Sequence, residues 1–173
     1  MIYICRKKRE KYLRFLTVRR KASPKIREAQ LTDLDEIYQI EVECFSENAF
    51  SYSQLEYCLR SPSFVNLIAL INDEIVGFII GLLEESNEGI IGHVFTLDVK
   101  RKFRRMGIGS SLLEALERNF IKKGSKKSIL EARLDNISAE RLYLKHGYVP
   151  KRIIRDYYGP GLDAVRFEKN LEK

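Results

Sequence analysis

Residues 96–112 read Thr-Leu-Asp-Val-Lys-Arg-Lys-Phe-Arg-Arg-Met-Gly-Ile-Gly-Ser-Ser-Leu, and this stretch decides the fold. An apolar, β-branched run, Ile90–Val99, leads into it and reads as a long central strand. A basic, glycine-containing turn follows. Behind the turn, Ser110–Lys123 repeats apolar residues with helical period (Leu112, Leu113, Leu116, Phe120), and Gly124 is a natural stop. A strand, a glycine turn and a helix in that order form an anion cradle. Glycine permits the tight turn and the close approach of a ligand, and the first N–H groups of a helix have no carbonyl partner within it. Five cations, Lys100, Arg101, Lys102, Arg104 and Arg105, surround the turn. A Walker loop needs Gly-Lys-Ser/Thr where this chain has Gly109-Ser110-Ser111, and a dinucleotide fingerprint needs a third glycine where it has Leu112. Nucleotide hydrolysis and NAD binding are both disfavoured.

Working outward, Pro24–Gln30 reads as a short first strand. Thr32 or Asp33 then opens a helix carrying Leu34, Ile37, Tyr38, Ile40, Glu41 and Phe45. Ser51–Arg60 is a second helix, stopped before Pro62. Phe64–Ile71 and Glu74–Leu83 form a hairpin around Asn72-Asp73. Beyond the central helix come a strand at Lys127–Arg133 and a short helix capped by Asn136 or Ser138 and ended by Gly147. Two last strands follow, Tyr148–Arg155 and Leu162–Leu171. The expected fold is a mixed α/β (α+β) domain whose sheet is largely antiparallel in its first half.

The chain has 173 residues, close to one domain, with a net charge of +7. The charge is uneven. Residues 1–23 hold nine Lys/Arg and one Glu, and the remaining 150 hold 22 Lys/Arg and 23 Asp/Glu. The division is therefore a basic extension, 1–23, followed by a nearly neutral domain, 24–173. That argues against specific nucleic-acid binding by the fold. The extension reads first as a solvated basic segment, a candidate for docking on a ribosome or another anionic surface, and second as a transit peptide. No apolar run reaches the roughly 18–20 residues of a membrane span. Three cysteines without framework spacing favour a reduced, cytoplasmic setting, and two histidines with no paired cysteine make a structural zinc site unexpected.

R-x-x-G-x-G at 104–109, with the strand end Thr96-Leu97-Asp98-Val99 before it, resembles the pyrophosphate-binding motif of the GNAT superfamily of N-acetyltransferases. The run Leu130–Tyr148, with Glu131, Asn136, Ala139, Tyr143 and Gly147-Tyr148, is similar to the second half of that fold. Arg155–Ala164 resembles the Y-Y-x-x-G-E-D-A segment of the branch that acetylates N-terminal amines. That branch includes the bacterial ribosomal-protein-alanine enzymes and the archaeal and eukaryotic N-terminal acetyltransferases. Phe45-Ser46-Glu47-Asn48 resembles the first substrate loop of its archaeal and eukaryotic members. The resemblance spans roughly residues 25–171. It implies a sheet splayed at its middle strands with helices on both faces.

The same resemblance implies transfer of acetyl from acetyl-CoA to a free amine. The pyrophosphate would sit on the motif opened by Arg104, on the amides of Arg105, Met106, Gly107, Ile108, Gly109 and Ser110. The pantetheine arm would pair with the main chain of Leu97, Asp98 and Val99, and Asn136 and Tyr143 would also contact the cofactor. Glu131 and His93 match the family's bases and would share the task through ordered water. Tyr143 matches the acid that protonates the leaving thiolate. Phe45, Glu47, Asn48, Tyr157 and Tyr158 would bind the substrate, with Glu47 reading its first residue. Each has a plain alternative: Glu131 as an exposed strand carboxylate, His93 and Tyr143 as core packing.

The reaction itself separates acceptors. An α-amino group with a pKa of about 7.7–8.0 is roughly a tenth neutral at pH 7, whereas a lysine near 10.4 is almost wholly charged. The gap, about 2.5 units or roughly 3.4 kcal/mol, means that a modest base suffices for N-termini. Protein N-termini are therefore the first expectation. Lysine side chains or small-molecule amines are the second, and a non-catalytic binding module is the third. Two departures from the family pattern bear on acceptor choice: Ala49 stands where the family's E-N-Y loop has tyrosine, with Phe50 or Tyr52 as replacements, and Leu162 stands where its last segment has an acid.

Overall fold

The computed structural model describes residues 23–172 except Glu88, and leaves out the side chain of Glu47. The basic extension thus lies almost wholly outside the described residues. Strand β1 (Lys25–Glu28) is followed by a 3-10 turn, Leu31–Asp33, and helix α1 (Leu34–Phe45). Asp33 opens the helix differently from a simple cap. Its carboxylate accepts the Gln30 N–H at 2.8 Å and is gripped by Arg27 at 2.7 and 2.8 Å. Helix α2 (Tyr52–Arg60) begins at Ser51, whose hydroxyl and the Gln54 side chain form a reciprocal capping box.

Strands β2 (Phe64–Ile71) and β3 (Glu74–Ser86) meet at Asn72 and Asp73, with φ of 49° and 62°. Two consecutive positive φ values make the primed turn that matches strand twist. β3 and β4 (Gly89–Val99) both run longer than the apolar runs suggest and form a second hairpin. Helix α3 (Ile108–Lys122) starts two residues before Ser110, the start expected from the sequence. β5 (Lys127–Arg133), α4 (Ile137–Lys145), β6 (Val149–Ile154) and β7 (Ala164–Asn170) complete the chain. Asn136 caps α4, its side chain accepting the Ala139 N–H at 3.1 Å.

The seven strands lie in the order β1-β2-β3-β4-β5-β7-β6. Every neighbouring pair is antiparallel except β4 with β5. α1 and α2 bury Leu34, Ile37, Ile40 and Leu55 with Ile68, Phe78 and Ile80 on one face. α3 and α4 bury Leu112, Leu116, Phe120 and Tyr143 with Val94, Leu130 and Phe167 on the other. β3 is therefore covered on both sides, and Ile75–Gly81 is buried without a break.

The parallel pair creates the working space. β4 and β5 pair only over Ile91–Val94 and Lys127–Leu130. Beyond that, β4 stays on β3 and β5 stays on β7, so the two strands diverge. At the same point the β3–β4 register slips: Ile80 faces Thr96 and Gly81 faces Val94, leaving Phe95 as an extra residue. Such a bulge bends its strand and increases local twist. The bend and the end of β4–β5 pairing coincide.

Phe120 of α3 packs against this bend. A Cβ on Gly92 or Gly81 would clash with its ring. Gly92→Ala is expected to cost about 2 kcal/mol through overpacking, read as a lower urea midpoint. Phe120→Leu in the same chain should return part of the loss.

Candidate active site

The phosphate-type turn forms as its glycines require. After the 3-10 turn Arg101–Phe103, Arg105 has φ of 65° and Gly107 has φ of 87°, and α3 begins at Ile108. A residue other than glycine at 107 would strain that left-handed backbone. The N–H groups of Ile108, Gly109 and Ser110 form the first turn of α3 and point out of its end, together with the positive pole of the helix dipole. Ser110 is tied to the end of α4, its hydroxyl 2.9 Å from His146 Nε2.

The surrounding cations are not all available to an anion, which corrects the expectation of a five-residue cluster. Lys100 and Lys102 share the Glu74 carboxylate at 3.1 and 2.9 Å. Arg101 donates to the Glu43 carbonyl at 3.0 Å. The Arg104 side chain bends back over β4, its Nε donating to Val99 O at 3.0 Å and its other end reaching Cys44 Sγ at 3.3 Å. Arg105 has no such partner among the described residues. The cradle is thus mainly backbone amides, with Arg105 as its free charge.

Between this turn and the candidate catalytic groups lies the wedge opened by β4 and β5. Leu97, Asp98 and Val99 have their β3 partners (Ile79, Phe78, Gly77) on one edge and no β5 partner on the other. That is the edge a pantetheine arm requires, so the strand, the turn and the helix end fit the elongated anion of acetyl-CoA.

At the inner end of the wedge, β4, β5, β3 and β7 bring four side chains together. His93 Nε2 lies 2.7 Å from Glu131 Oε2, and its Nδ1 lies 2.9 Å from Glu84 Oε1. Arg166, opposite Glu131 in the β5–β7 ladder, donates to Glu131 Oε1 at 2.5 Å. Glu131 and His93 touch directly, so the water expected between them has no place there. The Glu131 side chain is only 3% exposed, which sets aside its reading as an exposed strand carboxylate.

A neutral imidazole has one N–H and can donate to only one of two carboxylates. Held between Glu84 and Glu131, His93 favours the doubly protonated ring. Burial alone would push its pKa down, but its bonds to Glu131 and Glu84 and their charges outweigh this and raise it above 6.5. Burial likewise pushes Glu131 up, but His93 and Arg166 together hold it below 4.5. The two directions agree: this is an ion pair, with the carboxylate as its acceptor end.

Tyr157 and Tyr158, in the β6–β7 connection, stand over Glu131. Tyr157 OH lies 3.4 Å from Glu131 Oε2, and Tyr158 OH donates to the Glu131 carbonyl at 3.1 Å. Their rings meet edge to face at 4.8 Å. Tyr143 is 7% exposed and packs on Tyr148 and Phe167, so it is also a core residue. Burial first, then the Tyr158 and Asp98 charges, pushes its phenol well above 10.

Phe45 ends α1 and is 40% exposed, and Asn48 lies on the connection between α1 and α2. The side chain of Glu47 is outside the described residues. Of the two replacements for the missing tyrosine at 49, Phe50 faces the site. It stacks on Phe95 at 5.0 Å, and Phe95 meets the His93 ring at 6.4 Å. Tyr52 turns away to Asp35 on α1, at 2.9 Å. Glu84 and Arg166 escape a reading of the sequence, because only strand pairing puts them beside His93 and Glu131.

Residues 34–148 match the Acetyltransferase (GNAT) family. The chain belongs to that family. It is 33% identical over 141 residues to an N-acetyltransferase of Methanocaldococcus jannaschii, covering 81% of this chain and 87% of the relative. It is 32% identical over 149 residues to an N-alpha-acetyltransferase of Sulfurisphaera tokodaii, covering 81% and 89%. In structure it is similar to Ard1 from Thermoplasma volcanium, with a TM-score of 0.78 and 25% identity over 88% of this chain and all of that one. The chain is therefore an acetyl-CoA-dependent N-acetyltransferase on the GNAT fold.

The chain's two histidines should separate by NMR titration. His93 is expected to titrate above 6.5. His146, which burial lowers, is expected to titrate below it. Glu84→Gln should bring His93 down and leave His146 in place.

Proposed function

We propose that this enzyme acetylates the free α-amino group of protein and peptide N-termini. The observation that carries this reading is the pair Tyr157 and Tyr158 over the buried Glu131 carboxylate. Such a site admits a short, flat main-chain end more readily than a bulky polycationic acceptor. The likeness to a relative named N-alpha-acetyltransferase supports the same reading.

Acetyl-CoA supplies an acetyl group already activated as a thioester. The chain's own residues then have three tasks. The amides at the start of α3 and the open edge of Leu97–Val99 hold and align the donor, and Asn136 borders it from the cap of α4. A backbone N–H near Val99 polarises the carbonyl as an oxyanion donor. Glu131 takes the proton that the amine sheds. A carboxylate held below 4.5 is a weak base, and this suits an α-amine that is already partly neutral at pH 7.

When Glu131 takes up the proton it loses the charge that helps hold His93 doubly protonated, so His93 releases its own Nδ1 proton to Glu84, whose side chain is 41% exposed. The group thus sheds one proton toward solvent for the one that Glu131 takes up, and His93 acts as the charge partner of Glu131 and not as a separate base. Tyr143, with its pKa well above that of a thiol, holds its proton and donates a hydrogen bond to the departing sulfur. Phe45, Glu47, Asn48 and Phe50 border the acceptor from one side, and Tyr157 and Tyr158 border it from the other. A reducing, cytoplasmic setting accords with the free thiols of Cys44 and Cys58. Among the described residues no helix is long and apolar enough to cross a membrane.

Mass spectrometry of a peptide library incubated with acetyl-CoA should show acetylation at α-amines. Acetylation confined to lysine side chains, or found only with small-molecule amines, would reject the proposal. Glu131→Gln is expected to lower kcat/KM for the best peptide by about 10²–10³-fold. Tyr143→Phe should lower kcat by about tenfold with little change in peptide KM, as loss of a donor used only in the transition state requires.

A further inference from the structure

Helix α1 buries a glutamate completely. Glu41 is 0% exposed, and opposite it on β4 Asp98 is 3% exposed. Glu41 Oε1 accepts the Phe50 N–H at 2.9 Å. No donor among the described residues reaches Glu41 Oε2, and the group adjoining it is the Asp98 carboxyl. Asp98 Oδ2 accepts the Thr96 hydroxyl at 2.8 Å. Two ionised carboxylates placed like this would repel with little water to screen them, and an ionised Glu41 would leave one oxygen uncompensated. One proton between them removes both costs.

We propose that Glu41 and Asp98 share a single proton, carried on Glu41, and that this bond latches the acceptor loop 46–51 to the cofactor strand. The arrangement is directional. Glu41 Oε2–H donates to the Asp98 carboxylate, which also receives Thr96 and faces Arg104. Glu41 Oε1 holds the backbone of Phe50, whose ring stacks on Phe95. The main chain of Asp98 belongs to the edge that takes the pantetheine arm. One buried bond therefore spans from the strand that aligns the donor to the loop that borders the acceptor. Glu41 is a positioning residue, because it touches neither reactant.

The groups facing the pair are few. Cys44 on α1 is neutral, its thiol pushed up to about 11 mainly by burial. Arg104 comes from the β4–α3 turn, and the Asp98 charge is felt as far as Tyr143 on α4. Burial first, and then the Asp98 charge, pushes Glu41 from 4.5 up to about 8. Asp98 is also raised by burial, with Thr96 and Glu41 pulling the other way. The sign follows. Between about pH 4.5 and 8 the folded chain holds a proton that the unfolded chain releases, so stability falls as pH rises through that window. A glutamine at 41 can make both hydrogen bonds and cannot ionise.

The inference uses from the preceding reading only that acceptors enter past residues 45–50. It is tested in two ways with the full chain. The first needs no acceptor. The Tm of Glu41→Gln should gain on the wild type by at least about 3 °C between pH 5.5 and pH 8.5. The second uses the best peptide acceptor. At pH 7, Glu41→Ala should raise acceptor KM about tenfold while kcat and acetyl-CoA KM change less than about threefold, and Glu41→Gln should restore acceptor KM to within about twofold of the wild type. A Tm gap that stays constant with pH, or a glutamine variant as impaired as the alanine one, overturns the proposal. If no peptide is acetylated, the α-amine reading fails and the thermal comparison still decides this one. The same comparison stands if the alanine variant does not fold.

Discussion

β4 and β5 hydrogen-bond to each other for four residues and then part, and the rest of the molecule is arranged around that separation. A strand edge without a neighbour inside a sheet is costly, because its N–H and C=O groups still need partners. Here the cost is met in stages. Arg104 bends back to the Val99 carbonyl, the 3-10 turn at Arg101–Phe103 closes the strand end, and the remaining edge suits the amide-rich arm of acetyl-CoA. Phe95, left over by the register slip against β3, points out of the bend and joins Phe50 and His93. A single irregularity thus accompanies the opening of the wedge and furnishes part of the wall proposed to border the acceptor.

The groups proposed as catalytic follow from the same geometry. Because β5 leaves β4 while remaining on β7, Glu131 stands between His93 on one side and Arg166 on the other. Each neighbour supplies charge that keeps a nearly inaccessible carboxylate ionised. Glu84, two residues beyond Leu82, the partner of His93, closes the line toward solvent. The order Glu84–His93–Glu131–Arg166 alternates sign. That is why groups so far out of water can remain charged without a large penalty. The assignment of bases changes accordingly. The pair expected to act through a bridging water is instead in direct contact, with Glu131 proposed as the member that accepts.

Much was legible in the chain before folding. The helix and strand periods, the Asn72-Asp73 turn, the Ser51 and Asn136 caps and the glycine turn at 104–109 are local features, read from side-chain chemistry within a few residues. The motif order from Thr96 to Tyr148 was enough to indicate the family. Boundaries were less legible. α3 begins inside the glycine turn because the left-handed Gly107 already redirects the chain, and the β3–β4 hairpin runs past the apolar residues because cross-strand pairing sustains it.

The sequence by itself determined the fold class and the anion turn, because each depends on neighbours along the chain, and its resemblance to the family marked His93, Glu131 and Tyr143 as candidates. The tertiary structure alone decided which groups surround them. Strand pairing placed Glu84 and Arg166, 47 and 35 residues from Glu131, within hydrogen-bond reach of the His93–Glu131 pair. It turned most of the basic cluster onto protein partners, and it selected Phe50 over Tyr52 as the aromatic beside the site. It also buried Glu41 against Asp98, 57 residues away. Charge and protonation depend on distance through space and on exclusion of water, and neither is a property of position along the chain.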